Sequence, residues 1–386
     1  MARKRTEKKQ KSTVRYLDYS LIALLVFLIC FGLVMLYSTS AYSALTTYGD
    51  SMYYFKRQLI FSFIGILFFL FVSRINYHYY GKIAGALFAF ALVLMLLVKF
   101  SPLGVEVNGA KRWLLVPGIN QRFQPAEVMK IAVILYIPLL ICRIGKQIRK
   151  WKGILHILIW GGIAFAGTFY LTDNLSTALI VLGITCLLIF VAHPKTAPFI
   201  ALATGGIGVL LVGARMLGKI LESSGNFRLN RLLVWLHPEK YAASGGYQVM
   251  QGLYAIGSGG FFGKGLGNSV QKAVIPEVQN DMILSVICEE LGVFGAIVIL
   301  VLFGMLLYRL LFIAQNAPDL YGSLIVTGIF AHIALQVFLN VAVVINLIPT
   351  TGITLPFISY GGTSIVLLMI EMGIALGISR QIKLKD

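Results

Sequence analysis

Long apolar runs separated by short polar stretches dominate this chain. A helix needs roughly 20 mostly apolar residues to cross a bilayer, and the runs come close to that length. We therefore expect an all-α polytopic membrane protein with about ten transmembrane helices and one large extracellular loop between helices 7 and 8. The predicted helices lie at about 17–37, 58–73, 83–100, 126–142, 153–171, 175–192, 197–214, 282–312, 322–346 and 357–378.

Basic residues predict the orientation of this bundle. They are concentrated in the tail at 1–16 and in the loop at 143–152, and Lys and Arg in short loops favour the cytoplasmic side of a membrane. Both termini are therefore expected in the cytoplasm. The predicted organisation is a basic cytoplasmic tail at 1–16, a ten-helix membrane domain at 17–380 that contains the large extracellular loop at 215–281, and a cytoplasmic tail at 381–386.

The composition agrees with a membrane protein. The chain is 58% hydrophobic and 12% charged, and its mean hydropathy of +0.84 excludes a soluble globule. The net charge of +18 does not require a nucleic-acid partner, because the basic residues gather in short loops. The four cysteines fall in apolar segments at unrelated spacings, which excludes a disulfide framework or a metal motif. The scattered histidines are interpreted as loop or core residues.

Several basic residues lie on the side where the topology predicts few of them. Lys111 and Arg112 fall in the outer loop at 101–125, and Lys264 and Lys272 fall in the large loop. They are either ordinary solvated charges or a site for an anionic ligand such as phosphate or pyrophosphate. Glycines surround Lys264, so the backbone there can approach a ligand closely.

Ionisable residues at predicted helix ends are the next candidates. Glu127 and Lys130 are three residues apart on one helix face, so they can pair. Glu127 can also be an ordinary acid of a helix start. Asp173, in the hairpin between helices 5 and 6, can complete a polar cluster or cap helix 6.

The stretch 259–290 carries an unusual density of charge, which includes Glu277 and Asp281. Ionisable groups at or below a membrane surface are costly unless paired or hydrated, so they are functional candidates. Asp281 is either N-terminal helix charge or a carboxylate base. If Asp281 and Glu289 lie on one helix, they are about 80° apart and can line one cavity.

Several segments resemble those of a known family. The chain is similar to SEDS proteins, the FtsW, RodA and SpoVE family of bacterial peptidoglycan glycosyltransferases, and more similar to the FtsW and SpoVE branch than to RodA. The segments that show the resemblance are Gly265–Lys272, Pro276-Glu277, Asp281, Glu289–Gly292, Leu355–Gly362, Lys111–Trp113 and Gln124–Glu127.

The resemblance implies a peptidoglycan glycosyltransferase in the bacterial cytoplasmic membrane that serves division, elongation or sporulation. It implies that residues 17–380 polymerise lipid II, a disaccharide peptide on undecaprenyl pyrophosphate, at the outer face, with a class b penicillin-binding protein as the transpeptidase partner. The family's essential loop aspartate falls on Asp281, which makes it the expected catalytic base. The family's other functional residues fall on Glu127, Lys130 and Asp173.

The leaving group of this reaction carries about two negative charges, which must be stabilised in place. The candidates for this role are Lys111, Arg112, Lys264 and Lys272, with a Mg²⁺ or Mn²⁺ ion held by outer carboxylates. The alternative function is a lipid II flippase, which also needs a polytopic bundle and an affinity for pyrophosphate. A flippase needs a polar path across the bilayer, whereas the ionisable residues here cluster towards the predicted outer side.

Overall fold

The chain forms a bundle of long apolar helices. The computed structural model describes residues 16–107, 109–116, 121–201, 205–206, 227–242 and 245–383. Its helices are α1 (Tyr19–Tyr48), α2 (Tyr53–Val72), α3 (His78–Phe100), α4 (Pro125–Ile144), α5 (Trp151–Thr172), α6 (Leu175–Ala192), α7 (Phe227–Leu236), α8 (Gly246–Gly259), α9 (Ile283–Asn316), α10 (Leu320–Val344) and α11 (Thr363–Ser379).

Within these described residues, eight helices are long and apolar enough to cross a membrane, and α11 is a shorter apolar helix. The predicted polytopic all-α architecture is therefore confirmed. Most of the predicted helix at 197–214, nearly all of the tail at 1–16 and part of the tail at 381–386 lie outside the described residues. The count of ten helices consequently stays a prediction.

The middle of the bundle is formed by α4 and α10, the two spans with the largest buried share. The two helices approach closely, because Gly328 of α10 lies against Ile134 of α4. Outer helices instead expose large apolar side chains, such as Phe63 and Phe71 of α2. An apolar exterior around a packed interior is what a lipid environment requires.

Polar side chains fix several helix starts. Asp18 accepts a hydrogen bond from the backbone N–H of Leu21 at 2.9 Å and caps α1. The same carboxylate pairs with Arg309 of α9 at 2.7 Å, so this cap also joins two distant helices. Pro125 occupies the first turn of α4, where its missing N–H costs nothing.

The segment at 101–125, predicted as a loop, contains a three-stranded antiparallel sheet. Its strands are β1 (Gly104–Val107), β2 (Ala110–Val116) and β3 (Gln121–Phe123), in that order. The loop prediction was wrong because such short strands leave too few alternating positions for a period of two to be recognised. The sheet contacts the ends of α3, α4 and α5.

The large loop is also more ordered than predicted. It contains α7 and α8, and α8 packs on α9. A second hydrophobic cluster lies beneath it, formed by Ala255, Ile275, Val278, Met282, Leu284, Val286, Cys288 and Val344. This cluster anchors the loop to the helix that follows it.

Helix α9 is broken at Gly292, which has a φ of 71°. The break leaves backbone N–H and C=O groups without partners inside the helix. The glycine-rich segment, residues 257–267, supplies hydrogen-bond partners for them. Lys264 N–H donates to Glu289 O at 2.9 Å, and Phe294 N–H donates to Phe261 O at 3.0 Å. A Cβ on Gly263 would lie 2.2 Å from the Glu290 carbonyl oxygen. The glycines therefore permit backbone packing inside the protein, which corrects the expectation that they let the backbone approach a ligand.

Candidate active site

A cavity of about 820 Å³ lies at the end of the bundle where α4 begins. Its walls come from the start of α2, the sheet, the first turns of α4, the turn between α5 and α6, and the loop segments 277–280 and 351–364. Residues from widely separated parts of the sequence thus converge on one site. Convergent polar groups in one large concave pocket are typical of a ligand site.

The cavity carries a net positive charge. Among its described lining residues, the cationic side chains are Arg57, Arg112, Arg122 and Lys130, and the carboxylates are Glu127 and Glu277. Tyrosines line the same cavity, namely Tyr48, Tyr53, Tyr54 and Tyr360. A mixture of cations and aromatic rings suits a ligand that has both anionic and sugar-like parts.

The predicted pair of Glu127 and Lys130 is confirmed. Lys130 Nζ lies 2.8 Å from Glu127 Oε1 and donates to Gln336 Oε1 at 3.3 Å. Ser364 donates to the other oxygen of Glu127 at 3.1 Å. The described residues thus supply acceptors for two of the three N–H groups of a nearly fully buried ammonium. Within the described part of the chain, no acceptor is found for the third.

Asp281 lies beside the cavity, between its lining residue Asn280 and the start of α9. Gln248 donates to its carboxylate at 3.2 Å, and Asn340 of α10 donates to its backbone carbonyl at 2.8 Å. Burial, together with the nearby charge of Glu277, raises the pKa of Asp281 to about 6, against a lowering by Arg231. A half-buried carboxyl with this pKa fits the predicted base.

Lys264 and Lys272 do not line the cavity. Lys264 pairs with Glu289 at 2.7 Å, and Lys272 pairs with Glu290 at 3.1 Å, and both carboxylates are fully buried. Glu289 also accepts a hydrogen bond from the Ser269 hydroxyl. The expectation that Glu289 and Asp281 line one cavity was wrong, because Asp281 precedes α9 and Glu289 faces the glycine-rich segment.

The remaining predicted residues lie around the cavity. Glu277 lines it and accepts a hydrogen bond from Asn280 at 2.6 Å. Arg112 lines it as well and donates to the Asp173 carbonyl at 3.3 Å, while the carboxylate of Asp173 pairs with Lys99 at 3.5 Å. Asp173 does not cap α6, because Asn174 does. Lys111 is half-buried on β2 and is not among the lining residues.

Sequence reasoning missed several groups at or below this cavity. Tyr53, Tyr54 and Arg57 lie at the start of α2, which begins at Tyr53 and not at residue 58. Tyr48 ends α1, and Tyr360 precedes α11. His332 and Glu371, both buried in the bundle, pair at 2.7 Å. Glu371 could have been recognised as a candidate, since an acid within an apolar helix is costly without a partner.

Metal binding at this site would depend on its carboxylates. The described part of the chain contains no group of three or more His, Cys, Asp or Glu side chains placed to hold one. Among the described lining residues the carboxylates are Glu127, which is paired with Lys130, and Glu277. Mg²⁺ commonly takes one or two carboxylates and completes its shell with water and substrate phosphates. Glu277 therefore fits an ion that binds together with a pyrophosphate.

Known proteins similar to this chain match it along nearly its whole length. The sequence model of a family described as "Cell cycle protein" (FTSW_RODA_SPOVE) matches residues 19–384. Stage V sporulation protein E of Bacillus subtilis is 37% identical over 367 residues, which are 94% of this chain and 97% of that protein. The probable peptidoglycan glycosyltransferase FtsW of Trichlorobacter lovleyi is 37% identical over 374 residues, which are 96% of this chain and 95% of that protein.

A solved structure has a similar fold. It is described as "Structural coordination of polymerization and crosslinking by a peptidoglycan synthase complex", and the TM-score is 0.76 at 25% identity. The similarity covers 96% of this chain and 99% of the other.

Proposed function

Because the chain belongs to the FtsW, RodA and SpoVE family of cell cycle proteins, we propose that it is a peptidoglycan glycosyltransferase that polymerises lipid II. The observation that carries this proposal is Asp281, a half-buried carboxyl with a pKa raised to about 6, beside a cavity lined by cationic side chains. The relative named as a peptidoglycan glycosyltransferase supports the same reaction.

In this reaction Asp281 is the general base. It takes the proton from the sugar 4-hydroxyl of one lipid II as that oxygen bonds to the anomeric carbon of another. The bond from the anomeric carbon to the pyrophosphate oxygen breaks, and undecaprenyl pyrophosphate leaves with the electron pair. A carboxyl with a pKa near 6 is mostly ionised at neutral pH and remains a stronger base than an ordinary aspartate.

The cavity supplies the cations for the leaving group. Lys130, Arg112 and Arg122 line the cavity, and we assign them to the departing pyrophosphate, whose charge fixed cations stabilise. Lys264 and Lys272 are engaged by buried carboxylates, so we assign them to holding the loop. Lys111 stays a candidate for the rim of the site.

We further propose the orientation that the basic tails indicate. Residues 1–16 and 381–386 lie in the cytoplasm, and residues 17–380 form the glycosyltransferase domain of a multi-pass protein in the bacterial cytoplasmic membrane. The cavity then opens at the outer face, together with the loop at 215–281. Reporter fusions after residue 281 test this, since cytosolic activity of the reporter would contradict the assignment.

A transpeptidase is the proposed partner. The similar solved structure is described as a peptidoglycan synthase complex that coordinates polymerization and crosslinking. This description supports a class b penicillin-binding protein as the partner bound to this bundle. Co-purification of the cognate pair from membranes tests the proposal. Recovery of this protein without any such partner, under conditions that preserve a known pair, would contradict it.

A divalent ion is also proposed. Mg²⁺ or Mn²⁺ held by Glu277 with the substrate pyrophosphate would neutralise part of the leaving group's charge. We expect EDTA to lower the polymerisation rate and either ion to restore it. An unchanged rate in EDTA would remove the ion from the proposal.

Purified protein with labelled lipid II tests the main proposal. The wild type should form glycan chains, and Asp281→Asn should lower the rate by about 10²-fold or more, as expected for loss of a general base. Asp50→Asn is a matched control, because Asp50 is an exposed carboxylate paired with Lys56 at 2.8 Å and is not itself among the lining residues. A near wild-type rate of Asp281→Asn would eliminate Asp281 as the base.

The same preparation in liposomes distinguishes the flippase. Movement of labelled lipid II across the bilayer without formation of polymer would favour transport over synthesis. Polymer without movement would favour the proposed enzyme.

A further inference from the structure

A chain of buried polar groups leads from the cavity floor into the middle of the bundle. Lys130 of α4 donates to Gln336 Oε1 of α10. His332 Nε2 lies 2.8 Å from the same oxygen, and His332 Nδ1 lies 2.7 Å from Glu371 Oε2 of α11. All four residues are at most 3% exposed. Gln336 and Lys130 line the cavity, whereas His332 and Glu371 lie one layer behind it.

The directions of these hydrogen bonds follow from the chemistry of the partners. Gln336 lies 3.0 Å from the Thr354 carbonyl oxygen, which can only accept, so the amide nitrogen points there. Gln336 Oε1 then faces Lys130 and His332 and accepts from both. His332 Nε2 must therefore carry a proton.

Glu371 keeps the proton on that nitrogen. If Glu371 is ionised, it accepts from Nδ1–H and the ring is an imidazolium with both nitrogens protonated. If Glu371 is protonated, it donates to Nδ1, and the single ring proton sits on Nε2. In both states Nε2–H faces the carbonyl of Gln336, and the two residues together carry no net charge.

We propose that His332 and Glu371 are positioning residues that set the place of the Lys130 ammonium. Glu371 fixes the imidazole, the imidazole fixes the amide of Gln336, and the amide oxygen fixes the ammonium at the cavity floor. The remaining N–H of Lys130 then meets the pyrophosphate of the lipid substrate. This inference rests on the proposed function, because the anion that Lys130 meets is the leaving group of that reaction.

Two pairs of variants separate positioning from packing. In His332→Gln the side-chain amide nitrogen takes the place of Nε2 and can still donate to Gln336, whereas in His332→Asn it takes the place of Nδ1 and cannot. In Glu371→Gln the amide N–H donates to Nδ1 and keeps the ring proton on Nε2, whereas Glu371→Leu keeps the size and loses the hydrogen bond.

We expect His332→Asn and Glu371→Leu to lower kcat/KM for lipid II about tenfold or more, as for loss of a hydrogen bond that supports a charged group. We expect His332→Gln and Glu371→Gln to recover most of that loss. Thermal unfolding in the same detergent shows whether the members of each pair are equally stable. Activity that follows the unfolding temperature instead of the donor position would overturn the proposal.

A binding measurement keeps this test separate from the proposed function. A rise in the unfolding temperature on addition of undecaprenyl pyrophosphate reports binding without catalysis. This rise should be smaller than that of the wild type in His332→Asn and Glu371→Leu only. If the wild type binds this lipid but makes no polymer where a known polymerase does, the proposed reaction fails while the binding series still decides the positioning role. Equal binding by all four variants, or no binding by the wild type, would overturn the positioning role itself.

Discussion

Replacing Asp281 by Asn should stabilise the protein while it abolishes activity. Burial raises the pKa of this carboxyl from 3.8 to about 6. At about 1.36 kcal/mol per pKa unit, this rise means that the ionised form is disfavoured in the folded state by about 3 kcal/mol. Asn is neutral and can accept the same hydrogen bond from Gln248. We expect a gain of about 1–3 kcal/mol at pH 8, because water reaching the half-buried group reduces the effect.

The sign of the pH dependence distinguishes this cause from others. A raised carboxyl pKa means that the folded state binds more protons than the unfolded state between pH 4 and 6, so this group's contribution to stability is lost as pH rises through that range. The advantage of Asp281→Asn should therefore be large at pH 8 and small near pH 4.5. Unfolding temperatures at one scan rate in one detergent measure it, since membrane proteins often unfold irreversibly.

The control for this prediction has the opposite sign. The hydrogen bond from Lys56 lowers the pKa of Asp50, so Asp50→Asn should not raise the unfolding temperature at pH 8. An equal shift of Asp281→Asn at both pH values would show that an uncharged effect of the amide, and not desolvation of the carboxylate, causes the change. A lower unfolding temperature of Asp281→Asn at pH 8 would refute the reasoning.

Three further predictions concern pH and the large loop. The polymerisation rate should fall about tenfold per pH unit below pH 6, as expected for one essential base, and a pH profile that is flat down to pH 5 would contradict Asp281 in that role. Lys272→Met should destabilise the protein by about 3–5 kcal/mol because it leaves the buried Glu290 carboxylate without its cation. Adding Glu290→Gln should restore most of the unfolding temperature, and an unaffected single variant would show that the ion pair is unimportant. Gly292→Ala should destabilise the protein by about 1–3 kcal/mol, because residue 292 has a positive φ and a Cβ there would lie 2.2 Å from the Phe261 carbonyl oxygen. Gly304→Ala should not destabilise it, because a Cβ at residue 304 would meet open space. Equal unfolding temperatures of the two variants would contradict this prediction.

Local patterns predicted the architecture and part of the site. The length of an apolar run directly indicates a membrane helix, so the described spans were predicted. Helix α6 begins and ends at the predicted residues. The pairing of Glu127 with Lys130 was also predictable, because a spacing of three residues on a helix brings two side chains together. Helix ends were less accurate: α11 begins at Thr363, because Phe357 and Gly362 have positive φ angles.

Contacts between distant segments were not predictable from the sequence pattern. The partners of Lys264 and Lys272 depend on the break at Gly292, which no periodicity reveals. His332 was interpreted only as a loop or core residue, and its contact with Glu371 joins positions 39 residues apart on different helices. Such contacts depend on how the helices pack against each other, which the pattern of apolar and polar residues along one sequence does not reveal.

The interlock between the glycine-rich segment and α9 limits where foreign sequence can be placed in this protein. An epitope or fluorescent domain inserted at 260–265 would separate backbone groups that hold the broken helix together, and the product would misfold before it could report anything. The exposed turn at Glu239 and Lys240, between α7 and α8, offers an insertion point in the same loop that leaves those bonds intact. Libraries of loop variants would for the same reason tolerate length changes at this turn and reject them at the interlock.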